Sequence, residues 1–402
     1  MIKQAIIQNP HLSVLRLSYN NLGDNGTAIV SQGFMQNGLH HKSLSVLDMG
    51  FNSMKDPGCA ALALHAVAGN DALRTLYLSG NHIKQNGAMA LAGAILHGCS
   101  LNVLYLSANT IGPVGIQALA RAVAEREAMR TAEDKAYAEE AASSRSIVVL
   151  KRKPAIQTLE ELHVSDCAMG PAGFVTIPSM LLTNFSMRVL CLSHNEIDDN
   201  DMALLAQAFS RNKEVPLEVL QLSHNSISCT GIECVMNAVW GSKTLREMRF
   251  DNNKIRDRGA QLFAVVLTSI ALEVIDLSGN KITTVGIKAL MKSLSENASL
   301  SYLGLCGIPI DANSAKALSY GIAYNSTLNY LYIDKCSVGY AAQRHVVAGI
   351  VSNRYAALRV LTGFPIGGKF LGDILFSSSL SLTRCLINIF SDRGNVGFTS
   401  GT

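Results

Sequence analysis

The stretch Leu272-Glu273-Val274-Ile275-Asp276-Leu277-Ser278-Gly279-Asn280-Lys281-Ile282, followed by Gly286 and Leu290, decides the fold. As a template it reads L-x-x-L-x-L-x-x-N-x-h-x-x-x-G-x-x-x-h, where h is any apolar residue, and the chain writes it eleven times. The Asn slot is filled in turn by Asn20, Asn52, Asn81, Asn109, Cys167, Asn195, Asn225, Asn253, Asn280, Ile308 and Cys336. Apart from the jump from Asn109 to Cys167, successive slots lie 27 to 32 residues apart. A repeat of this period settles the architecture before any single residue is interpreted.

Positions that did not define the template test it. Two residues after the slot come Leu22, Met54, Ile83, Ile111, Met169, Ile197, Ile227, Ile255, Ile282, Ile310 and Val338. Ten residues after it come Val30, Leu62, Leu91, Leu119, Ile177, Leu205, Val235, Phe263, Leu290, Leu318 and Val346. All are apolar in a chain that is 48% apolar, which excludes coincidence. Six residues after the slot, eight copies carry Gly, from Gly26 to Gly286. The pattern resembles the leucine-rich repeats of the ribonuclease inhibitor type, seen also in Ran GTPase-activating proteins and in the sensor regions of NOD-like receptors. The resemblance covers roughly residues 1–366. It is specific for fold and nearly silent on function, because unrelated activities share this scaffold.

Each copy opens with an L-x-L alternation, which suits a short strand with its leucines on one face. The resemblance implies that the buried amide at the Asn slot bonds the turn's free backbone groups, forming a ladder through Asn20, Asn52, Asn81, Asn109, Asn195, Asn225, Asn253 and Asn280. Cys167 and Cys336 are accepted substitutes in the family, and Ile308 is not. Local irregularity is therefore expected around Ile308. The Gly six residues on falls where a helix starts, and a missing Cβ allows close backbone approach. The helix then carries an apolar stripe, as in Gly115-Ile116-Gln117-Ala118-Leu119-Ala120-Arg121-Ala122-Val123. Parallel strands sit about 4.8 Å apart, whereas packed helices need about 8–10 Å. Stacked copies must therefore curve. The expected fold class is α/β, a leucine-rich repeat horseshoe (a solenoid) with a parallel concave sheet and convex helices.

With net charge +4 and 16% charged residues, the chain has neither the basic surface of a nucleic-acid binder nor an acidic tail. Nine cysteines, several at core or turn positions, argue for a reducing compartment. No signal peptide precedes the first repeat, so a cytoplasmic location is expected. The N-x-S/T sequons at Asn25, Asn184, Asn297 and Asn325 are then chance matches.

Residues 1–366 read as one repeat domain of about eleven or twelve copies. Residues 1–11 resemble the end of a repeat helix, so the chain opens inside a preceding copy, which suggests a fragment or a shortened gene model. A helical insertion is expected at about 124–157, because Ala124 to Arg145 is rich in Ala, Glu and Arg without Pro or Gly. Its Lys151-Arg152-Lys153 run is read as a solvated loop. A degraded twelfth copy begins at Leu358, and residues 367–402 form a degenerate cap and tail. Phe370 to Phe390 is apolar, but Asp373, Arg384 and its serines spoil it as a membrane span.

No phosphate-binding loop, H-E-x-x-H or C-x-x-C occurs. What remains is the set of strand residues pointing out of the concave face. One column reads Asp166, His194, His224 and Asn252, and a second His163, Cys191, Gln221 and Arg249. Tyr77, Tyr105 and Tyr332 stand between template leucines, while Glu161, Glu247, Tyr302 and Tyr330 form another column. Asp166, His194 and His224 fall on neighbouring strands, close enough for a metal ion. The favoured reading makes them polar residues of a solvent-facing sheet, with no metal and no cofactor. The tyrosines have the stronger claim, since Tyr offers large area with a polar tip. The expected function is a non-enzymatic scaffold binding a protein partner of unknown identity through Tyr77, Tyr105, His163, Asp166, His194, Gln221, His224, Arg249, Tyr302, Tyr330 and Tyr332. The alternatives are a GTPase-activating protein for a Ran-like small GTPase and the sensor fragment of a NOD-like receptor.

Overall fold

The computed structural model describes residues 1–36, 39–40, 42–143, 156–353, 355 and 357–363. The Lys151–Lys153 run and the cap and tail expected at 367–402 lie outside the described residues.

The chain divides into two compact units, Met1–Asn225 and Ser226–Thr402. In the first, the three-residue strands Val14–Arg16, Val46–Asp48, Thr75–Tyr77, Val103–Tyr105, Glu161–His163, Val189–Cys191 and Val219–Gln221 form a parallel sheet in chain order. The central residue of each strand is a template leucine, and these pair across the sheet from Leu15 to Leu220. From Leu47 onward they are fully buried. In the second unit the same rule orders Glu247–Arg249, Val274–Asp276, Tyr302–Gly304, Tyr330–Tyr332 and Val360–Thr362. The last of these is the degraded twelfth copy. Helices of successive copies pack side by side within each unit. A short antiparallel pair, Met35–Gln36 with Leu39–His40, interrupts the first link between strands.

The Asn slot does what the resemblance implied. Asn81 Oδ1 accepts from Asn52 N and Met54 N of the preceding copy, both at 3.0 Å. Its Nδ2 donates to Met49 O of that copy at 3.1 Å and to Leu78 O of its own at 2.9 Å. Asn52, Asn109, Asn195 and Asn280 repeat the pattern. Cys167 sends its thiol towards Leu106 O at 3.4 Å and Ser165 O at 3.5 Å, so it replaces the donor half of the amide. Burial, outweighing a bond from the Asn109 backbone, pushes that thiol up to about 12, which keeps it protonated as a donor. Around Ile308 the expected irregularity does not reach the backbone. The strand Tyr302–Gly304 pairs on both sides, and the helix Ala312–Tyr324 follows. Ile308 is fully buried as part of the core. The side chain fills the space of the missing amide, so the copy keeps its shape and gives up only polar contacts.

Two further sets of rungs escaped the sequence reading. At the helix-to-strand turn, Asn184, Asn297 and Asn325 are buried. Asn325 Nδ2 donates to Leu294 O and Asn297 O, each at 2.9 Å, and its Oδ1 accepts from Thr327 N and Leu328 N. Asn297 Oδ1 likewise accepts from Ser299 N and Leu300 N. The Ser or Thr two residues on also bonds the preceding copy, Ser299 Oγ to Leu272 O and Thr327 Oγ1 to Leu300 O. Three of the four sequons thus place their Asn where the turn uses an amide, as the turns at Asn212 and Asn353 do without a sequon. At the helix start, Asp24, Asp56 and Asp257 each cap the helix of the following copy. Asp257 Oδ1 accepts from Thr283 N at 2.7 Å and Gly286 N at 2.9 Å. A Cβ on Gly286 would meet that oxygen at 2.8 Å, which is why the position is glycine. Burial raises the Asp257 carboxyl, but the bonds from Thr283 and Gly286 prevail and hold it below its ordinary value.

The helix that follows the fourth copy's strand runs from Gly112 to Ser143. Its direction is set by the fully buried Glu127 carboxylate. Glu127 accepts from Phe185 N at 3.1 Å, Ser186 Oγ and Arg130 Nη2. Arg126 bonds Cys99 O and Gln157 O, each at 3.2 Å, so adjacent residues clamp the helix to the copies on either side.

Removing a rung leaves buried backbone groups unpaired, and each costs about 1–3 kcal/mol. Asn81→Ala is therefore expected to lower unfolding free energy by more than about 2 kcal/mol. Asn81→Cys should lose less, because a thiol keeps the donor half as at Cys167. Urea midpoints of the two variants check the order. Equal losses would mean that the amide acts only by filling space.

Candidate functional site

Because the central residue of each strand points into the core, the two flanking residues point the other way. This makes the outward face of each sheet a grid of side chains in register. In the first unit, Tyr77, Tyr105 and His163 are consecutive partners in that grid. Their rings stack, Tyr77 on Tyr105 at 4.4 Å between centroids and Tyr105 on His163 at 3.9 Å, within 16° of parallel. Strand spacing alone brings flat side chains to stacking distance. Burial, then the neighbouring Tyr77 and Glu161, pushes the Tyr105 hydroxyl up to about 12. Burial also lowers His163, and the opposing pull of Glu161, whose Oε2 is 3.6 Å from Nε2, does not cancel it. Tyr105 and His163 are thus neutral near pH 7. Cys191 and Gln221 continue the row.

A second row follows the strand ends, one residue before each Asn slot, where the backbone is left-handed. Tyr19, Phe51, Ala108, Asp166, His194 and His224 all have φ between 52° and 61°, and Gly80 has φ 67°. The conformation turns these side chains outward. Tyr19 and Phe51 stack at 4.5 Å and 5°, and are 74% and 46% exposed. His194 and His224 stack at 4.0 Å and 14°. Face-to-face imidazoles direct their ring nitrogens outward in parallel, without converging on one point. Among the described residues, no group of three or more His, Cys, Asp or Glu side chains is arranged to hold a metal ion.

In the second unit, Arg249 is the centre of a charged cluster. Its Nε donates to Glu247 Oε1 at 2.6 Å, and Nη1 lies 3.8 Å from Asp276 Oδ2. Its guanidinium sits over the Tyr302 ring at 5.1 Å. Tyr302 OH donates to Asp276 Oδ2 at 3.2 Å, and its ring lies 5.0 Å from that of Tyr332. Burial and the Asp276 charge push the Tyr302 hydroxyl up to about 12, against Arg249. Gly304 makes the arrangement possible, since a Cβ there would lie 2.2 Å from Asp276 Oδ1. Tyr330, 39% exposed, stands beside Tyr302 in register.

The family described as "Leucine Rich repeat" matches residues 8–27, 40–63, 70–92, 97–120, 155–177, 183–206 and 269–291. The chain is a leucine-rich repeat protein. Its repeats are of the ribonuclease inhibitor type: the Ribonuclease inhibitor of Sus scrofa is 28% identical over 149 residues, 37% of this chain and 32% of that protein. The NACHT, LRR and PYD domains-containing proteins 14 and 12 of Homo sapiens are 22% and 26% identical over 67% and 65% of this chain. The leucine-rich repeat chain spans about a third of the first relative and 24% of each of the other two. A yeast structure, that of the Rad7 and Elc1 complex, shares the fold at 12% identity, with TM-score 0.55 over 90% of this chain and 81% of that one. Among the described residues no helix is long and apolar enough to cross a membrane.

Of the residues singled out from the leucine-rich repeat pattern, the fold joins Tyr77, Tyr105 and His163 into one stack, His194 with His224 into another, and Arg249, Tyr302 and Tyr332 into the charged cluster. Asp166 stands beside Ala108 in the turn row, and Gln221 beside Cys191 at a strand end. Tyr19 and Phe51 were missed. Their signal was present, since both precede an Asn slot, as His194 and His224 do.

His163 offers a pH test. Its folded pKa is below the unfolded value of about 6.5, so the unfolded state binds more protons as pH falls. Stability is thus lost as pH drops below about 6.5, levelling off below the folded value. An NMR titration should place the His163 midpoint under about 6.5, and Glu161→Gln should lower it further. A midpoint at or above the ordinary value means the ring is solvated, not stacked.

Proposed function

We propose that this leucine-rich repeat protein is an intracellular scaffold without catalysis of its own, binding a protein partner on the outward face of its sheet. Pre-stacked rings carry the reading. Tyr77, Tyr105 and His163 in one unit, and Arg249, Tyr302 and Tyr332 in the other, are held by neighbours before any partner arrives. Side chains already ordered lose little entropy on binding, and Tyr and Arg are enriched at binding hot spots. Free thiols at all eight described cysteines support a reducing compartment. The repeat domain is proposed to span 1–366, with the insertion at about 124–157 as a second contact surface.

The likeness to NACHT, LRR and PYD domains-containing proteins over two thirds of this chain supports a second reading, in which these repeats are the sensor region of a larger protein. A transcript that continues the reading frame upstream into a nucleotide-binding domain would decide for it.

The test of the scaffold is a pull-down from lysate with wild type and with a Tyr302→Ala, Tyr330→Ala, Tyr332→Ala variant of matched melting temperature. It is run in GDP and in non-hydrolysable GTP. A partner lost in the variant and indifferent to nucleotide is the expected result. A small GTPase held only with the GTP analogue would promote the GTPase-activator reading and call for a hydrolysis assay. Identical partners on both baits would exclude the tyrosines from the contact.

A further inference from the structure

We infer that the turn row of the first unit holds a notch for an arginine side chain of a protein partner, between the Phe51 ring and the Asp166 carboxylate. The inference rests on the sheet-face reading and specifies chemistry that the tyrosines do not.

The notch follows from residue size along a row of fixed spacing. Tyr19 covers one face of Phe51, at 4.5 Å and 5°. On the other side the ring occupies the space where a Gly80 side chain would begin, since a Cβ there would meet Phe51 Cε1 at 2.2 Å. The next position is Ala108, exposed and only a methyl, and after it comes Asp166, also exposed. Strand spacing sets the gap from Gly80 to Asp166 at about 10 Å. One end is the aromatic surface lying over Gly80, the floor is Ala108, and the far end is an anion.

Charge identifies the occupant. In the first five copies the outward face and the turn row carry the carboxylates Asp48, Glu161 and Asp166 against the single guanidinium of Arg16, on a chain whose net charge is +4. His163, lowered by burial, adds no positive charge near pH 7. A cation is thus attracted to this face. Of the two common cationic side chains, only arginine is planar, so that it lies flat on a ring with its charge set against the carboxylate across the notch. The ring–cation contact adds its own attraction. Left-handed φ at Phe51 and Asp166 keeps both groups aimed outward before a partner arrives.

The test selects a random-peptide phage library on the full chain, then measures fluorescein-labelled synthetic peptides by anisotropy. Arginine should recur in the selected peptides, and replacing it with citrulline, which has the same shape without the charge, should weaken binding about tenfold. Phe51→Leu, which removes the ring but keeps an apolar side chain, and Asp166→Asn, which suits the left-handed backbone, should each weaken binding by a similar factor. Both positions are exposed, so melting temperatures should not move. Peptides without recurring arginine, peptides indifferent to both substitutions, or no binding peptides at all overturn the inference. Among indifferent peptides, loss of binding to the Tyr302, Tyr330, Tyr332 variant leaves the sheet-face reading standing.

Discussion

Every copy of this protein depends on satisfying the backbone groups stranded where a three-residue strand turns away from the sheet. A strand so short makes few ladder bonds, and the turn that follows is covered by the next copy and cut off from water. A buried amide answers this because one side chain both accepts and donates. Asn81 accepts two N–H groups and reaches two carbonyls, three of these four partners lying in the copy before. The rung is therefore also the joint between copies. Repeats that cannot bury their own leucines become a continuous core through it.

The same physics is applied again at both ends of each helix. Asn297 and Asn325 close the helix-to-strand turn, and Asp24, Asp56 and Asp257 cap the helix of the copy that follows. Substitutes show which part of each job matters locally. Cys167 keeps the donor half of the amide, and Cys229 Sγ accepts the helix amides of Arg256 and Gly259 where other copies use Asp. Ile308 keeps only volume, and its copy retains strand, turn and helix. Shape is thus held by many weak copies of one arrangement, and no single rung is indispensable to the path of the backbone.

A frame of this kind presents side chains at fixed spacing, and that is its functional use. Parallel strands in strict register bring like residues together, so planar groups stack by default, as Tyr77, Tyr105 and His163 do. Left-handed turns add a second row, turned outward by backbone geometry, in which Tyr19 stacks on Phe51 and His194 on His224. The long helix from Gly112 belongs to the same frame, because Arg126 and Glu127 fix it to adjacent copies before it extends beyond them.

The amino-acid sequence by itself determined the repeat, the strand and helix of each copy, the inward leucines and the place of the Asn slot, whose role the family resemblance supplied. These are local and periodic, and eleven copies make the signal unmistakable. It also determined which residues stand on the outward face, since alternation alone separates the two sides of a strand. Only the tertiary structure decided which of them touch. Tyr302 meets Tyr332 diagonally because Gly304 leaves room and Asp276 draws the hydroxyl, and neither fact is periodic. The same holds for the sequons at Asn297 and Asn325, which look like modification signals until the turn shows each amide buried and bonded through both its oxygen and its nitrogen. Tertiary packing also gave Glu127 its place, since a carboxylate in an Ala- and Glu-rich helix has no periodic mark. Partners in neighbouring copies are chosen by space and hydrogen bonding, and those quantities exist only once the copies are stacked.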